Sequence, residues 1–202
     1  MPREVPDKLT PLDIPSLWNA LLLQWETLGV SPKRAAVELK LAHIHLETGL
    51  RACHCWNLGN QKHHDGDGRD WCLFACGEEV PFERLAALMV IGPCRVGSHY
   101  ERNGVPFCSV KLYPPHPWCR FAAFDTLEQG VAAQLAYLRT NKYAIKAHVL
   151  DALMTGDATA YNDALVAAGY YTAGKAQYLD TLKKRLEIVR VACRDYDWGD
   201  VA

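Results

Sequence analysis

The stretch Ala35-Ala36-Val37-Glu38-Leu39-Lys40-Leu41-Ala42-His43-Ile44-His45-Leu46 is apolar on most of its turns and closes on Glu47-Thr48-Gly49. A helix with so wide an apolar face must lie inside a body of other helices. The usual C-terminal glycine, Gly49, puts Glu47 in the last turn, facing out of the helix end. A carboxylate placed there, beside the polar loop Trp56-Asn57-Leu58-Gly59-Asn60-Gln61-Lys62, is half desolvated. Desolvation raises a Glu pKa, as a general acid working near neutral pH requires. From position alone Glu47 is an ordinary helix-terminal carboxylate. The residues after it change that reading.

Helical periodicity continues on both sides. Leu17, Trp18, Leu21, Leu22, Trp25 and Leu28 predict a first helix ending near Gly29. Ser31-Pro32 reads as the start of the second. Asp125-Thr126-Leu127-Glu128 reads as a capping box opening a helix that carries Leu127, Val131, Leu135 and Leu138. Further helices are predicted over 142–154 and from about 157 to Ala168, before Gly169. A last helix is capped by Thr172 and striped by Leu179, Leu182, Leu186, Val189 and Cys193. Residues 1–14, rich in proline and charge, read as a loosely ordered arm.

Residues 50–120 are irregular. A short helix is predicted over Pro81–Ile91, and Asn103-Gly104 predicts a hairpin with strands near 95–101 and 105–112. Asp65-Gly66-Asp67-Gly68-Arg69-Asp70 invites a calcium loop but puts Arg69 at a ligand position and lacks the closing Glu, so it reads as a solvated turn. Seven of the eight cysteines, Cys53, Cys55, Cys72, Cys76, Cys94, Cys108 and Cys119, fall in this segment, and Cys193 stands apart. That clustering predicts disulfides and an oxidising place of action. Buried free thiols or a zinc site with the nearby histidines are the competing readings, although paired Cys-x-x-Cys knuckles are missing. The fold expected is α+β, mainly α: a helical body over residues 15–202 with a small Cys-rich β-lobe beside a cleft.

Three segments in order resemble one family. His45-Leu46-Glu47-Thr48-Gly49 with Trp56-Asn57-Leu58-Gly59-Asn60-Gln61-Lys62 is similar to the "ETG … N-x-x-G-N-x-K" signature of lysozyme-superfamily peptidoglycan hydrolases of the glucosaminidase type. Pro114 to Asp125 resembles that family's "P-x-x-F-R-x-F/Y-D-S" strand. Ala164 to Ala173, with Tyr178, resembles its "L-x-x-x-x-Y-x-T-x-x-x-Y" segment. The likeness runs over about residues 15–192, and Cys72–Tyr113 departs from it. It implies a lysozyme-like body that cleaves a β-1,4 bond between amino sugars of peptidoglycan, with Glu47 as general acid.

The same resemblance suggests a second acidic residue on a mobile lobe, for which Glu78 and Glu79 are candidates. A solvated charge pair beside Pro81 is the plain reading of those two. Without a second carboxylate, Tyr171 would position the substrate's acetamido group or stabilise the oxocarbenium-like state. Trp56, Asn57, Asn60, Trp71, Trp118 and Tyr170 supply the aromatic faces and amides that glycan clefts use. Asn57 and Asn60 can equally hold their own loop. Of His43 and His45, at most one can share the environment of Glu47.

No cofactor or metal is expected. The net charge of −1 on 202 residues offers no basic footprint for nucleic acid. Leu21-Leu22-Leu23 is too short to span a membrane, so no insertion is expected, and a monomer is the simplest state. The polar Met1–Lys8 lacks the apolar core of a signal peptide. Action on a bacterial wall, extracellular or periplasmic, would then need phage lysis, a virion, a secretion system or a trimmed signal. Two other functions remain: an inactive wall-binding module on the same scaffold, and a Cys/His-rich metal protein.

Overall fold

A computed structural model of the chain describes residues 2–66, 68–102, 104–171 and 175–196. Among these the elements run β1 (Leu9–Pro11), α1 (Ile14–Trp25), α2 (Arg34–Thr48), β2 (Ala52–His54), β3 (Trp71–Leu73), β4 (Cys76–Pro81), α3 (Leu85–Ile91), β5 (Cys94–Arg102), β6 (Val105–Leu112) and β7 (Arg120–Ala122). They continue with α4 (Leu127–Thr140), α5 (Lys142–Lys146), α6 (Val149–Met154), α7 (Ala158–Ala167) and α8 (Lys175–Ala192). The fold is α+β and mainly helical. None of these helices is long and apolar enough to cross a membrane. Residues 15–202, read from the sequence as one domain, are shared between two compact units. One holds Thr10–Gly59 and the chain from Asp125 onward; the other holds Asn60–Phe124 and the N-terminal residues through Leu9.

The helical unit is built round α2. Every residue from Ala36 to His45 is buried, including Glu38, Lys40 and both histidines. α1, α6 and α8 pack on this helix, so no side of it is left to water. α1 starts where the Asp13 carboxylate accepts from Ser16 N at 2.8 Å, and Leu17, Trp18, Leu21 and Trp25 enter the core. The expected start of α2 at Ser31-Pro32 moves to Arg34, because Lys33 has the extended conformation of an N-cap. Gly49 ends it at φ 66°, a left-handed conformation that favours glycine.

α4 also begins one residue later than the sequence suggests. Thr126 is its cap and accepts from Gln129 N, while Gln129 Oε1 reaches back to Asp125 N at 3.0 Å. The helix predicted over 142–154 is broken at His148, whose left-handed φ of 53° separates α5 from α6 and lets Ala144, Val149 and Leu153 all turn inward. In α8 the predicted stripe is correct, with Leu182, Leu186, Val189 and Cys193 buried. The Thr172 cap lies outside the described residues.

Arg51–Gly59, read as part of the irregular lobe, belongs to the helical unit. β2 pairs with β1, and Cys53 and Leu58 join the helical core. The following turn is held against α4, where the Trp56 carbonyl lies over Gly130.

In the other unit β4, β6 and β5 form an antiparallel sheet with β6 in the middle, and β3 pairs with β7. The expected hairpin is present, with Gly104 at φ 77°; Asn103 lies outside the described residues, as does Asp67 of the acidic turn. β4 went unread because Cys76-Gly77-Glu78-Glu79-Val80-Pro81 has little strand propensity. Its pairing with β6, not its composition, makes it a strand. A small core of Val80, Leu88, Cys108, Val110, Leu112 and Cys119 lies beneath. The arm is less loose than expected here: Val5 N donates to Trp71 O at 2.8 Å and Trp71 N to Arg3 O at 3.1 Å. The expected disulfides are not formed; all eight cysteines are free thiols.

Gly130 gives a test of this packing. A glycine inside a helix normally gains about 1 kcal/mol on replacement by alanine. Here an added Cβ would stand 2.1 Å from the Trp56 carbonyl oxygen. Gly130→Ala is therefore expected to destabilise the chain by about 1–3 kcal/mol in urea unfolding, reversing the helix-propensity sign.

Candidate active site

Lys40, His43 and Glu47 stand at i, i+3 and i+7 of α2 and so share one face. They form a line that starts in the core and ends at the surface. Lys40 is 1% exposed, and its Nζ donates to Gln134 Oε1 of α4 at 3.1 Å. Gly59 makes room for that amide, since a Cβ there would lie 1.8 Å from Gln134 Nε2. His43 is equally buried, with Nδ1 2.8 Å from the Tyr161 hydroxyl and Nε2 3.6 Å from Glu47 Oε1. Glu47 ends the line, its side chain 19% exposed.

α8 completes the carboxylate's surroundings. Tyr178 OH donates to Glu47 Oε1 at 2.8 Å, and the Tyr178 ring stacks on Tyr171 with centroids 3.8 Å apart. Tyr171 OH in turn donates to Asn162 Oδ1 of α7. The Tyr170 ring meets His43 edge-on at 5.1 Å and Tyr137 at 5.5 Å. Both close contacts of the carboxylate fall on Oε1.

The electrostatics follow from burial and from this chain of groups. Burial drives the Lys40 ammonium from 10.5 down to about 8, against the pull of Glu47. Burial, then the Lys40 charge, lowers His43, so its imidazole is neutral at neutral pH. Burial alone would raise Glu47. The nearby His43 imidazole, the Tyr178 hydroxyl and the Lys40 ammonium together outweigh it and hold the carboxyl below its usual range. This corrects the expectation of a raised Glu47. Burial and the Glu47 charge raise Tyr178, which therefore stays a hydroxyl donor.

The helical unit thus brings together Glu47, Tyr170 and Tyr171 of the candidates. Tyr171 is one stacked ring from Glu47, whereas Tyr170 packs inward on His43. Trp56 and Asn57 belong to the same unit; Asn57 is buried, and its backbone N donates to His54 O at 2.8 Å. His43, not His45, shares the carboxylate's environment. The sequence reading missed Lys40, Gln134 and Tyr161. The i, i+3, i+7 spacing of Lys40, His43 and Glu47 was the signal available for Lys40.

Asn60, Trp71, Glu78, Glu79 and Trp118 belong to the other unit. Glu78 pairs with Lys62 at 2.8 Å, and Glu79 pairs with Arg102. Trp71 stacks on His63 at 4.8 Å. Trp118 is 38% exposed. Lys62, His63, His64, Glu78, Pro117, Trp118 and Arg120 line a cavity of about 320 Å³.

No protein-family model, curated protein or solved structure matches this chain.

The buried ammonium gives a measurable linkage. Lys40 has a folded pKa below its unfolded value, so between about pH 8 and 10.5 the unfolded chain binds more protons and stability rises with pH. Across that window wild type should gain about 3 kcal/mol relative to Lys40→Met, which has no such group. Denaturant unfolding of both proteins at the two ends of the window checks it. A constant difference would mean that Lys40 is not held as described.

Proposed function

We propose that this protein hydrolyses the glycan strands of peptidoglycan, cutting a β-1,4 bond between amino sugars as a lysozyme-like enzyme with Glu47 as general acid. The reading rests on one observation above others: the residue that the family resemblance singles out is a partly open carboxylate ending a line of buried polar groups. Tyr178 donates to Oε1 and His43 faces the same oxygen at 3.6 Å, so Oε2 is the oxygen left to carry a proton toward a leaving glycosidic oxygen. The Tyr171–Tyr178 stack beside it offers an aromatic surface of the kind that sugar CH faces pack on.

A depressed Glu47 carboxyl has a consequence for rate. At neutral pH most of the free enzyme would hold Glu47 ionised, and only the protonated fraction could act as the acid. kcat/KM should therefore rise as pH falls, by about tenfold per unit, until the carboxyl's own pKa is reached. The same depressed carboxyl favours a second reading, in which ionised Glu47 is the base or the charge that stabilises an oxocarbenium-like state. In that case kcat/KM is flat near neutrality and falls in acid.

Glu47→Gln should keep the fold and lose at least about a hundredfold in rate under either reading. Activity near wild type in that variant would remove Glu47 from the chemistry. Release of fragments from purified peptidoglycan, with mass spectrometry of the new reducing ends, tests the activity itself and identifies the sugar. An inactive wall-binding module would bind the same material and release nothing.

Glu78 and Glu79 are each engaged by a cation, Lys62 and Arg102. We therefore assign the second role to the substrate's own acetamido group, with Tyr171 and Tyr178 as its neighbours. Glu78→Gln and Glu79→Gln should each retain activity, and deacetylated glycan should be cut poorly. Loss of turnover with retained binding in either variant would return the role to that carboxylate. The wall, reached from outside the cell or in the periplasm, is the place of action this function requires.

A further inference from the structure

Six of the eight thiols are buried, and only Cys76 and Cys94 are partly open. Cys76 opens β4, and its Sγ lies 3.4 Å from Lys62 Nζ and 3.6 Å from the carbonyl oxygen of Trp118. The residue after Trp118 is Cys119, which is fully buried in the small core of the same unit. Cys76 packs against that core, with its sulfur on the carbonyl of the residue that precedes Cys119. The backbone keeps the two residues side by side, because Phe74 N donates to Cys119 O at 3.2 Å just before β4 begins. Cys94 also packs against that core, but not in register with a second thiol. Opposite it on β6 stands Leu112, while Cys108 stands opposite His99.

We propose that Cys76 and Cys119 are a redox-active pair oxidised by a low-molecular-weight disulfide, with Cys76 reacting first and Cys119 resolving. The Cys76 sulfur attacks one sulfur of the disulfide RSSR. A protein–SR bond forms, the S–S bond of RSSR breaks, and RS⁻ leaves with the proton given up by Cys76. The Cys119 sulfur then attacks Cys76, gives up its proton, and expels the second RS⁻. The net change is two protein thiols and RSSR converted to one protein disulfide and two RSH. Order of attack follows from access. Cys119 is shielded, and burial, then the neighbouring Cys76 sulfur, pushes its thiol up to about 11. Capping Cys76 removes that second influence and eases the resolving step.

The bond would tie the edge strand β4 to the turn before β7. It would also draw the Cys76 sulfur away from Lys62, which lines the cavity with Glu78 and Trp118. The inference does not depend on glycan hydrolysis.

The test uses the whole reduced chain incubated with glutathione disulfide. Wild type should lose the mass of two hydrogens and retain no glutathione. A tryptic map should join the peptide containing Cys119 to the one spanning Asp70–Arg84, with fragment ions placing the link at Cys76 and not Cys72. Cys119→Ala should stop at one retained glutathione on Cys76. Cys76→Ser should form no bond to Cys119, and the oxidised wild type should melt several degrees above the reduced protein. A link at any other pair, a first adduct on Cys94, or thiols all unchanged in wild type would overturn the proposal. The wild-type map needs no variant, so a misfolded substitution does not blunt it.

Discussion

Lys40 places an ammonium inside the helical unit, and much of that unit is arranged around the charge. An unpaired ammonium in a packed core costs several kcal/mol, so its surroundings must offset the loss of water. Among the described residues Gln134 supplies the direct acceptor, and Gly59 leaves the space that the amide needs. The opposite charge that acts on it is two helical turns on, at Glu47. The ammonium and the carboxylate therefore hold each other in their ionised forms across a neutral imidazole. The Glu47 charge state is thus a property of the core as well as of the surface.

The aromatic shell gives this line its direction. Tyr161 and Tyr170 pack on His43 from the inner side, while Tyr178 and Tyr171 stack over the outer end. Hydroxyls are used sparingly: one to His43, one to Asn162 and one to Glu47. Such rings exclude water from the buried part and leave the carboxylate as the place where it meets solvent. A site of this kind can direct a proton to one oxygen, because the other is already occupied. Under the proposed hydrolysis, whether that oxygen serves mainly as acid or as base is a matter of how strongly the neighbours hold its charge.

The other unit is held by different means. Its core is small, and two of its six buried members are thiols, Cys108 and Cys119, which pack there as small apolar groups. Its acidic candidates are edge-strand residues with cationic partners. Partly exposed pairs of that sort contribute little to stability. Their effect is to fix where Lys62 and Arg102 point. Lys62 is the more consequential of the two, because it touches Cys76, Glu78 and the Trp118 carbonyl at once.

Local signals in the sequence were enough for the mainly helical α+β class, the end of α2 at Gly49, the stripe of α8 and the β5–β6 hairpin; α1 stops at Trp25, and only a 3-10 turn carries on to the expected stop at Gly29. Each rests on periodicity or on a residue with one strong backbone preference. The position of Glu47 in the last turn of α2 follows from Gly49 in the same way. Local sequence misplaced the caps of α2 and α4 by a residue or more, because neighbouring polar residues compete for one cap and packing of the helix decides. It did not show β4, whose strand exists only through its pairing with β6. It also gave the wrong direction for the Glu47 pKa. Burial was legible from the apolar run, but the compensating groups come from α2, α4 and α8 together. A residue's desolvation can be inferred from its own helix; the charges and hydroxyls that answer it are brought near only when separate segments fold against one another.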